Sequence, residues 1–423
     1  MHKLNVYING THIAHLSLSD DWEYTFAYLE GYDGFNISPH IKAGSPIAST
    51  SVKNFLHNLL PEGRALEDIL HLTHIPRDNI FALISELGYE SSGALSFASN
   101  VEQKQTAVFR EITTSELIER LEIIDEQSIA VWDDKPRLSL AGVQDKLAVH
   151  ITQDKTMGLA DGALSSTHIL KFQTKRFNHI ALNEYYCMRL AKRCHLDTAP
   201  CTLRKFGDYL VLEVERFDRV VRNDTVERLH IIDGCQMLNL PPFYKYERAF
   251  GKGRDVAHIR DGVSFCKIFE ATKLTNVPAV AKLKILDWAL FNLVIGNSDA
   301  HGKNISFYVR SSGMEVAPFY DMLSTVMYDG IEHDLSMAFG DEFDINGVLG
   351  YDLIAFADSI SLPKKLVSDR LRLISRAILQ HGDMAIDGLT GEESDFLQKL
   401  KHTVKTRAEK YQAISKEMLR ISD

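Results

Sequence analysis

The stretch Gly296-Asn297-Ser298-Asp299-Ala300-His301-Gly302-Lys303-Asn304 decides how the chain is read. It follows a long helix signal over residues 277–296 and gathers several potential reacting groups in one short run. Polar side chains at that density do not suit a core, where each would need a partner. Gly296 and Gly302 mark a loop, and loops set on a rigid scaffold are common sites of chemistry. Residues 305–310 then read as a strand, Ser311-Ser312-Gly313 as a turn, and 315–320 as a second strand that delivers Asp321. The competing reading is a polar surface loop that caps a helix end.

Asp299 and Asn304 stand in the order D-x-x-x-x-N. Protein kinases use that spacing in their catalytic loop: the aspartate orients the attacking hydroxyl and accepts its proton, and the asparagine oxygen holds Mg²⁺. Loop, ribbon and terminal aspartate is also the order in which a kinase presents its second metal ligand. Asn304 and Asp321 supply two oxygens, which suits Mg²⁺, an ion that takes few protein carboxylates and completes its shell with phosphates and water. The spacing alone arises often by chance; the ribbon and Asp321 turn it into a phosphotransfer reading.

Upstream, Lys171 ends the mostly apolar strand Thr167-His168-Ile169-Leu170, the kind of place where a kinase keeps its phosphate-binding lysine. Glu184, in Asn183-Glu184-Tyr185-Tyr186, is the nearest helix glutamate to pair with it. A strand-end lysine reaching to solvent is the alternative. Before it, residues 137–146 carry one glycine only, so the segment lacks the glycine-rich pattern of ordinary kinases. Ala141 and Gly142 are small enough to let backbone N–H groups approach a phosphate; a plain turn explains them equally. Glu215-Arg216-Phe217-Asp218-Arg219 follows the strand expected at 209–214 and sits where a hinge should fall, its backbone able to meet an adenine edge, unless it is a surface salt-bridge cluster.

The rest of the chain is consistent with a globular protein of more than one domain. Of 423 residues, 45% are hydrophobic and 25% charged, which argues against disorder and collagen-like repeats. With 47 basic and 57 acidic residues the net charge is −10, so a global basic field for nucleic acid is absent. Five cysteines without a C-x-x-C pair fit reduced thiols. The N-terminus lacks an apolar signal region, and the longest apolar run, 285–295, contains Asp287 and Asn292 and is too short to span a bilayer; a cytoplasmic protein with no membrane partner is expected. Segments 4–8 and 11–18 flank Asn9-Gly10, a hairpin signal. Helices are expected at 52–60, 65–73, 78–88, 114–123 (capped by Thr114) and 183–195, and strands at 93–98, 147–151, 166–172 and 209–214. From about 233 the pattern is mostly helical, over 264–272, 277–296, 363–380 and 392–420. The basic stretch 245–254 is either a solvated loop or one facing a substrate or tRNA.

At this point the residues match a known family. The chain resembles the HipA-type serine/threonine kinases, the toxin halves of bacterial HipBA toxin–antitoxin modules. The matching pieces run in order: Asn58-Leu59-Leu60-Pro61-Glu62, Ser85-Glu86-Leu87-Gly88, Ser139-Leu140-Ala141-Gly142-Val143-Gln144-Asp145-Lys146, Thr167 to Lys171, Asn183 to Tyr186, Glu215 to Arg219, the 299–304 loop, and Pro318-Phe319-Tyr320-Asp321. The resemblance implies an α+β fold: a bilobal, eukaryotic-like kinase core with a small β-rich lobe (106–218), a large mostly helical lobe (219–423), and an extra N-terminal α/β domain (1–105). It implies Asp299 as catalytic base and Asn304 and Asp321 as Mg²⁺ ligands. It implies ATP contacts from Ala141, Gly142, Val143, Gln144, Asp145, Lys146, Lys171, Glu215, Arg216, Phe217, His301, Gly302, Lys303, Asn304, Tyr320 and Asp321.

Ser139 matches the family's autophosphorylated serine, where phosphate expels the loop and switches the kinase off; roughly −1.5 to −2 charges arrive beside a phosphate site. Partners implied are a HipB-like helix-turn-helix antitoxin, operator DNA mainly through that antitoxin, and a protein substrate of the translation machinery, glutamyl-tRNA synthetase being the best-known target class. Two departures are visible: Asp145 stands where glutamate is common, and Asp321 is followed by Met322 and Leu323 rather than Phe and Gly. Other readings remain: a small-molecule kinase, which shares the same loop logic, and an antitoxin-docked corepressor scaffold whose kinase has decayed. No H-E-x-x-H or G-x-S-x-G pattern supports zinc or acyl-transfer chemistry.

Overall fold

The computed structural model describes residues 2–99, 106–127, 129–133, 135–137, 144–222 and 225–421. They fall into two compact units: Met1–Asn178 with Pro200–Pro242 and Phe307–Met314, and His179–Ala199 with Phe243–Ser306 and Glu315–Asp423.

The first unit opens with a four-stranded antiparallel sheet in the order Tyr24–Tyr28, Thr11–Leu18, His2–Ile8, Leu95–Ala98. Asn9 and Gly10 both adopt positive φ, 48° and 80°, as a type I′ hairpin turn demands. Helices Ser49–His57, Gly63–Thr73 and Ile80–Leu87 follow, each starting or ending within a few residues of the sequence expectation. A six-stranded sheet then runs Cys201–Phe206, Tyr209–Glu215, His168–Lys171, Lys146–Ile151, Met157–Asp161, Val108–Glu111. Its core holds Trp132, Leu147, Val149, Leu159, Leu170, Phe172 and Val211. Helix Thr114–Glu122 is capped by Thr113, whose hydroxyl accepts from the Glu116 N–H, and not by Thr114 as expected. Thr113 has the extended backbone that a cap requires, while Thr114 is already helical.

Five charged residues of this unit meet at one place. Arg216 and Asp218, 3% and 4% exposed, lie with Arg219, Arg228 and Glu90. Within 215–219 the charged Arg216, Asp218 and Arg219 are thus interior, unlike the surface cluster that was the alternative to a hinge, while Glu215 is exposed. Asp218 accepts from Arg216 Nε and Nη2, from Arg219 Nη1 and from the Gly93 N–H, all at 2.7–2.9 Å. Burial works to raise its pKa, but Arg216 and Arg219 outweigh burial and hold the carboxyl well below its ordinary value. The cluster ties the segment after residue 215 to the turn at 90–93.

Next to it, His230 is buried and its Nε2 donates to Ile37 O at 2.8 Å. Burial pushes its pKa down to about 4, with Arg228 adding to the push. The unfolded chain, near the ordinary 6.5, therefore binds a proton first as pH falls. Stability drops through the window from pH 6.5 to 4, by roughly 2 kcal/mol between pH 7 and pH 5 from this group. We expect urea unfolding of His230→Gln to lack that part of the acid loss; equal slopes in both proteins would contradict it.

The second unit is mainly helical: Ile180–Arg193, Pro278–Ile295, Gly350–Ser359, Lys364–His381 and Gly391–Met418. The last two pack along each other, and Lys364–His381 also packs on Pro278–Ile295. Leu371, Ile374, Ile378, Leu400, Val404 and Tyr411 are buried. The mostly helical pattern expected from about 233 did not include helix Gly350–Ser359 or the hairpin Asp334–Phe339 with Glu342–Asp344. Among the described residues no helix is long and apolar enough to cross a membrane, and none of the five cysteines forms a disulfide.

Candidate active site

The loop at 296–304 is built by the helix before it. Pro278 stands at the first helical position, where its missing N–H costs nothing, and Gly296 ends the helix in the left-handed conformation at φ 78°. A Cβ on Gly296 would also come within 2.6 Å of Val326. The helix's last carbonyls are taken by Arg407, whose Nη2 donates to Leu293 O at 2.9 Å and Nε to Val294 O at 3.2 Å. A cation there also complements the negative end of the helix dipole. Arg407 further reaches Asn346 Oδ1 and Ile345 O.

Inside the loop, Asn297 donates to Asn292 Oδ1 and accepts from the Asp299 N–H. Asp299 O accepts from the His301 N–H at 2.8 Å and from Asn304 Nδ2 at 3.1 Å. The D-x-x-x-x-N spacing thus closes a turn whose backbone is tied by its own side chains. Gly302 is packed against Val263, with a hypothetical Cβ only 2.6 Å away. From Trp288 to Phe307 every residue is buried except Asp299, which is exposed. An exposed carboxylate in so buried a run is accessible to a ligand while its neighbours hold it in place.

The ribbon that follows is shorter than expected. Its strands are Ser306–Arg310 and Gly313–Val316, so residues 315–320 do not form the second strand. Pro318 has no N–H to continue a ladder. Phe319 instead forms a parallel bridge with Thr198, its N–H donating to Asp197 O and its carbonyl accepting from the Ala199 N–H. Asp321 therefore stands five residues beyond the strand, in a turn, with φ at 58°. Such a conformation is uncommon outside glycine, though aspartate tolerates it, and held strain of this kind concentrates at functional sites.

The turn is pinned to the loop on both sides of Asp321. The Tyr320 hydroxyl donates to Lys303 O at 2.7 Å and lies 2.8 Å from Ser306 Oγ. Thr325 Oγ1 accepts from the Ser298 N–H at 2.8 Å and lies 3.0 Å from Gly296 O, and the Val326 N–H donates to Gly296 O. Asn183 grips the same turn, its amide exchanging two 2.9 Å bonds with the backbone of Ser324. The loop carrying Asp299, His301, Gly302, Lys303 and Asn304 and the turn carrying Tyr320 and Asp321 are thus neighbours. Asn304 and Asp321 offer one amide and one carboxylate, a donor set for a hard cation shared with phosphate oxygens and not for zinc. Among the described residues no group of three or more His, Cys, Asp and Glu gathers to hold a metal.

The first unit brings together another set. Lys146 and Lys171 are directly opposite across adjacent antiparallel strands, so their side chains share a face. Both are buried, at 7% and 6% exposure. The face therefore carries two cations side by side. Gln144 Nε2 donates to Phe172 O and the Phe172 N–H to Asp145 O, which fastens the approach to Lys146 onto the end of the Lys171 strand. Burial raises the Asp145 pKa, against the pull of Arg64 3.9 Å away.

Ser139, Ala141, Gly142 and Val143 lie outside the described residues. At the expected hinge, the Glu215 N–H donates to Pro200 O, the Arg216 N–H to Thr167 O, and Phe217 O accepts from the Tyr308 hydroxyl at 2.8 Å. The Arg216 side chain is committed to the buried ion cluster. Glu184 is fully buried in the second unit, on helix Ile180–Arg193, whereas Lys171 belongs to the first.

Sequence reasoning missed Tyr246, whose hydroxyl donates to Asp299 Oδ1 at 3.2 Å. It lies in the basic stretch expected to be a solvated loop or a substrate-facing one. Lys245 and Glu247 beside it are buried, and Glu247 accepts from the Ala338 N–H and from Arg260. The signal was the alternation of aromatic and charged residues in Tyr244-Lys245-Tyr246-Glu247, which marks a segment with one face inward.

Comparison with known proteins now identifies the family. The HipA N-terminal domain profile matches residues 4–98 and the HipA-like C-terminal domain profile matches 138–382. The chain is 41% identical to the serine/threonine-protein kinase toxin HipA of Shewanella oneidensis, over 89% of this chain and 88% of that one. It is 30% identical to the Sinorhizobium fredii protein Y4mE, over 91% and 94%. Among solved structures, HipA from the Shewanella oneidensis MR-1 complex with HipB and its operator DNA superposes with a TM-score of 0.92 at 38% identity, covering 99% of this chain and all of that one. The mixed α and β fold is that of HipA, and the chain belongs to the HipA family of serine/threonine-protein kinases.

Proposed function

We propose that the protein is an ATP- and Mg²⁺-dependent kinase with a bilobal core and a family-specific N-terminal domain, and that it acts as the toxin of a HipBA-type module. Asp299 orients the serine or threonine hydroxyl and takes its proton. Asn304 and Asp321 hold Mg²⁺ against the phosphates. Lys146 and Lys171 neutralise phosphate charge, and Gln144, Asp145, Glu215 to Phe217, His301, Gly302, Lys303 and Tyr320 complete the nucleotide site. Phosphoryl transfer needs little covalent help, so its rate comes from positioning and electrostatics. The observation that carries this reading is the pinning of the Asp321 turn onto the 296–304 loop by Tyr320 on one side and Thr325 on the other.

The relative in the Shewanella complex is bound to HipB and operator DNA. We propose a HipB-like antitoxin for this chain too, with DNA reached mainly through it, as a net charge of −10 favours. A component of the translation machinery, glutamyl-tRNA synthetase first among candidates, is the proposed substrate, and Ser139 the proposed site of self-inactivation. The test is an intact-mass measurement after incubation with Mg-ATP. A gain of one phosphate, mapped to Ser139, supports the kinase reading. No gain on any residue favours the corepressor scaffold, and phosphate passed only to small hydroxyl compounds favours a small-molecule kinase.

A further inference from the structure

The Tyr246 hydroxyl occupies a position with a chemical meaning. A general base must lie within about 2.6–3.2 Å of the oxygen whose proton it takes. Tyr246 Oη lies 3.2 Å from Asp299 Oδ1 and donates to it. That is where the hydroxyl of an acceptor would have to be. The bond is long for an O–H···O pair, whose usual range is about 2.5–3.0 Å, so it is loose and replaceable. Asp299 is exposed, so a hydroxyl arriving from outside can reach the same oxygen.

The backbone around Tyr246 is held firmly. Tyr244 O accepts from the Val263 N–H at 2.8 Å, Glu247 O from the Gly262 N–H at 3.2 Å, and the Glu247 N–H donates to Ser336 O at 2.8 Å. Gly262 passes so close to Tyr246 O that a Cβ there would lie 1.9 Å away. The half-buried ring meets His301 edge-on at 5.4 Å. Any displacement is thus a swing of one side chain and not a movement of the segment.

We propose that Tyr246 is a placeholder: its hydroxyl holds the acceptor position on Asp299 in the resting enzyme, and the incoming serine or threonine hydroxyl displaces it. This rests on Asp299 being the base. On displacement the acceptor oxygen bonds to the γ-phosphorus, the bond from that phosphorus to the ADP oxygen breaks, and the acceptor proton passes to Asp299. Tyr246 keeps its own proton throughout. In the resting state the same hydroxyl keeps water off Asp299 Oδ1 and so limits wasteful hydrolysis of ATP.

The test uses the full chain and water as the acceptor. Phosphate release from Mg-ATP is measured for the wild type, Tyr246→Phe, Asp299→Ala and the double variant. Phenylalanine keeps the ring and removes only the hydroxyl, and thermal unfolding alongside reports any change in folding. The expected result is a rise of about 3–10-fold in Tyr246→Phe, the weight of one loose hydrogen bond, with KM for ATP unchanged and the rise absent from the double variant. An unchanged or lower rate in Tyr246→Phe, or phosphate found on Tyr246 itself, overturns the placeholder. If Asp299→Ala alone turns over like the wild type, it is the base assignment that fails.

Discussion

Asp299→Ala is expected to lower phosphoryl transfer by about 10²–10⁴-fold, the usual loss when a general base is removed, with folding and nucleotide binding intact. The separation follows from how the loop is built. The Asp299 backbone does the structural work: its N–H donates to Asn297, and its carbonyl accepts from His301 and Asn304. All three contacts survive in alanine. Asp299 is exposed, and its side chain accepts from the Tyr246 hydroxyl at the surface. Labelled phosphate incorporation and a thermal unfolding scan measure both halves of the expectation. Near-normal turnover would remove Asp299 from its role, and collapse of the fold would show that its side chain is structural.

Asp218→Asn is expected to destabilise the protein by about 3–5 kcal/mol, the range for breaking a buried ion pair from one side. In the native chain three guanidinium groups, of Arg216, Arg219 and Arg228, face two carboxylates, those of Asp218 and Glu90. Asparagine leaves one carboxylate among three cations. Its NH₂ also meets N–H donors that the carboxylate accepted, those of Gly93, Arg216 and Arg219. Burial denies water to the stranded cations, so the cost is not recovered by hydration. Because Asp218 is held below its ordinary pKa, its contribution is present above the unfolded value near 3.8 and is lost as pH falls below it. Urea unfolding at pH 7 measures the effect; a loss under about 1 kcal/mol would show that the cluster relaxes or admits water.

Much of this was legible in the residues because the signals were local. Asn9-Gly10 specifies its own turn, Pro278 and Gly296 bracket their helix, and the 299–304 spacing closes a loop through contacts within itself. What escaped was set by distant parts of the chain. The strand expected to reach Tyr320 stops at Val316 because Phe319 pairs with Thr198, more than a hundred residues earlier. The burial of Arg216, Asp218 and Arg219 at the expected hinge escaped because nothing nearby in sequence announces that Glu90 and Gly93 come to meet them. Val108–Glu111 was missed as a short and mostly exposed edge strand with little apolar alternation. Tyr246 and Arg407 reach the loop from 53 and 113–114 positions away, so no short window of sequence contains both partners. The family resemblance supplied roles for single residues, whereas these contacts explain how the residues are held.

The central claim is that one cation joins the 296–304 loop, the Asp321 turn and the phosphates of a nucleotide. Calorimetric titration of ATP with and without Mg²⁺, in the wild type and in Asp321→Asn, tests it most directly. Asparagine is the right replacement because it tolerates the positive φ of 58° and removes only the charge. Mg²⁺ is expected to tighten ATP binding to the wild type, and this gain is expected largely to disappear in the variant. The same Mg²⁺-dependent gain in both proteins would contradict it.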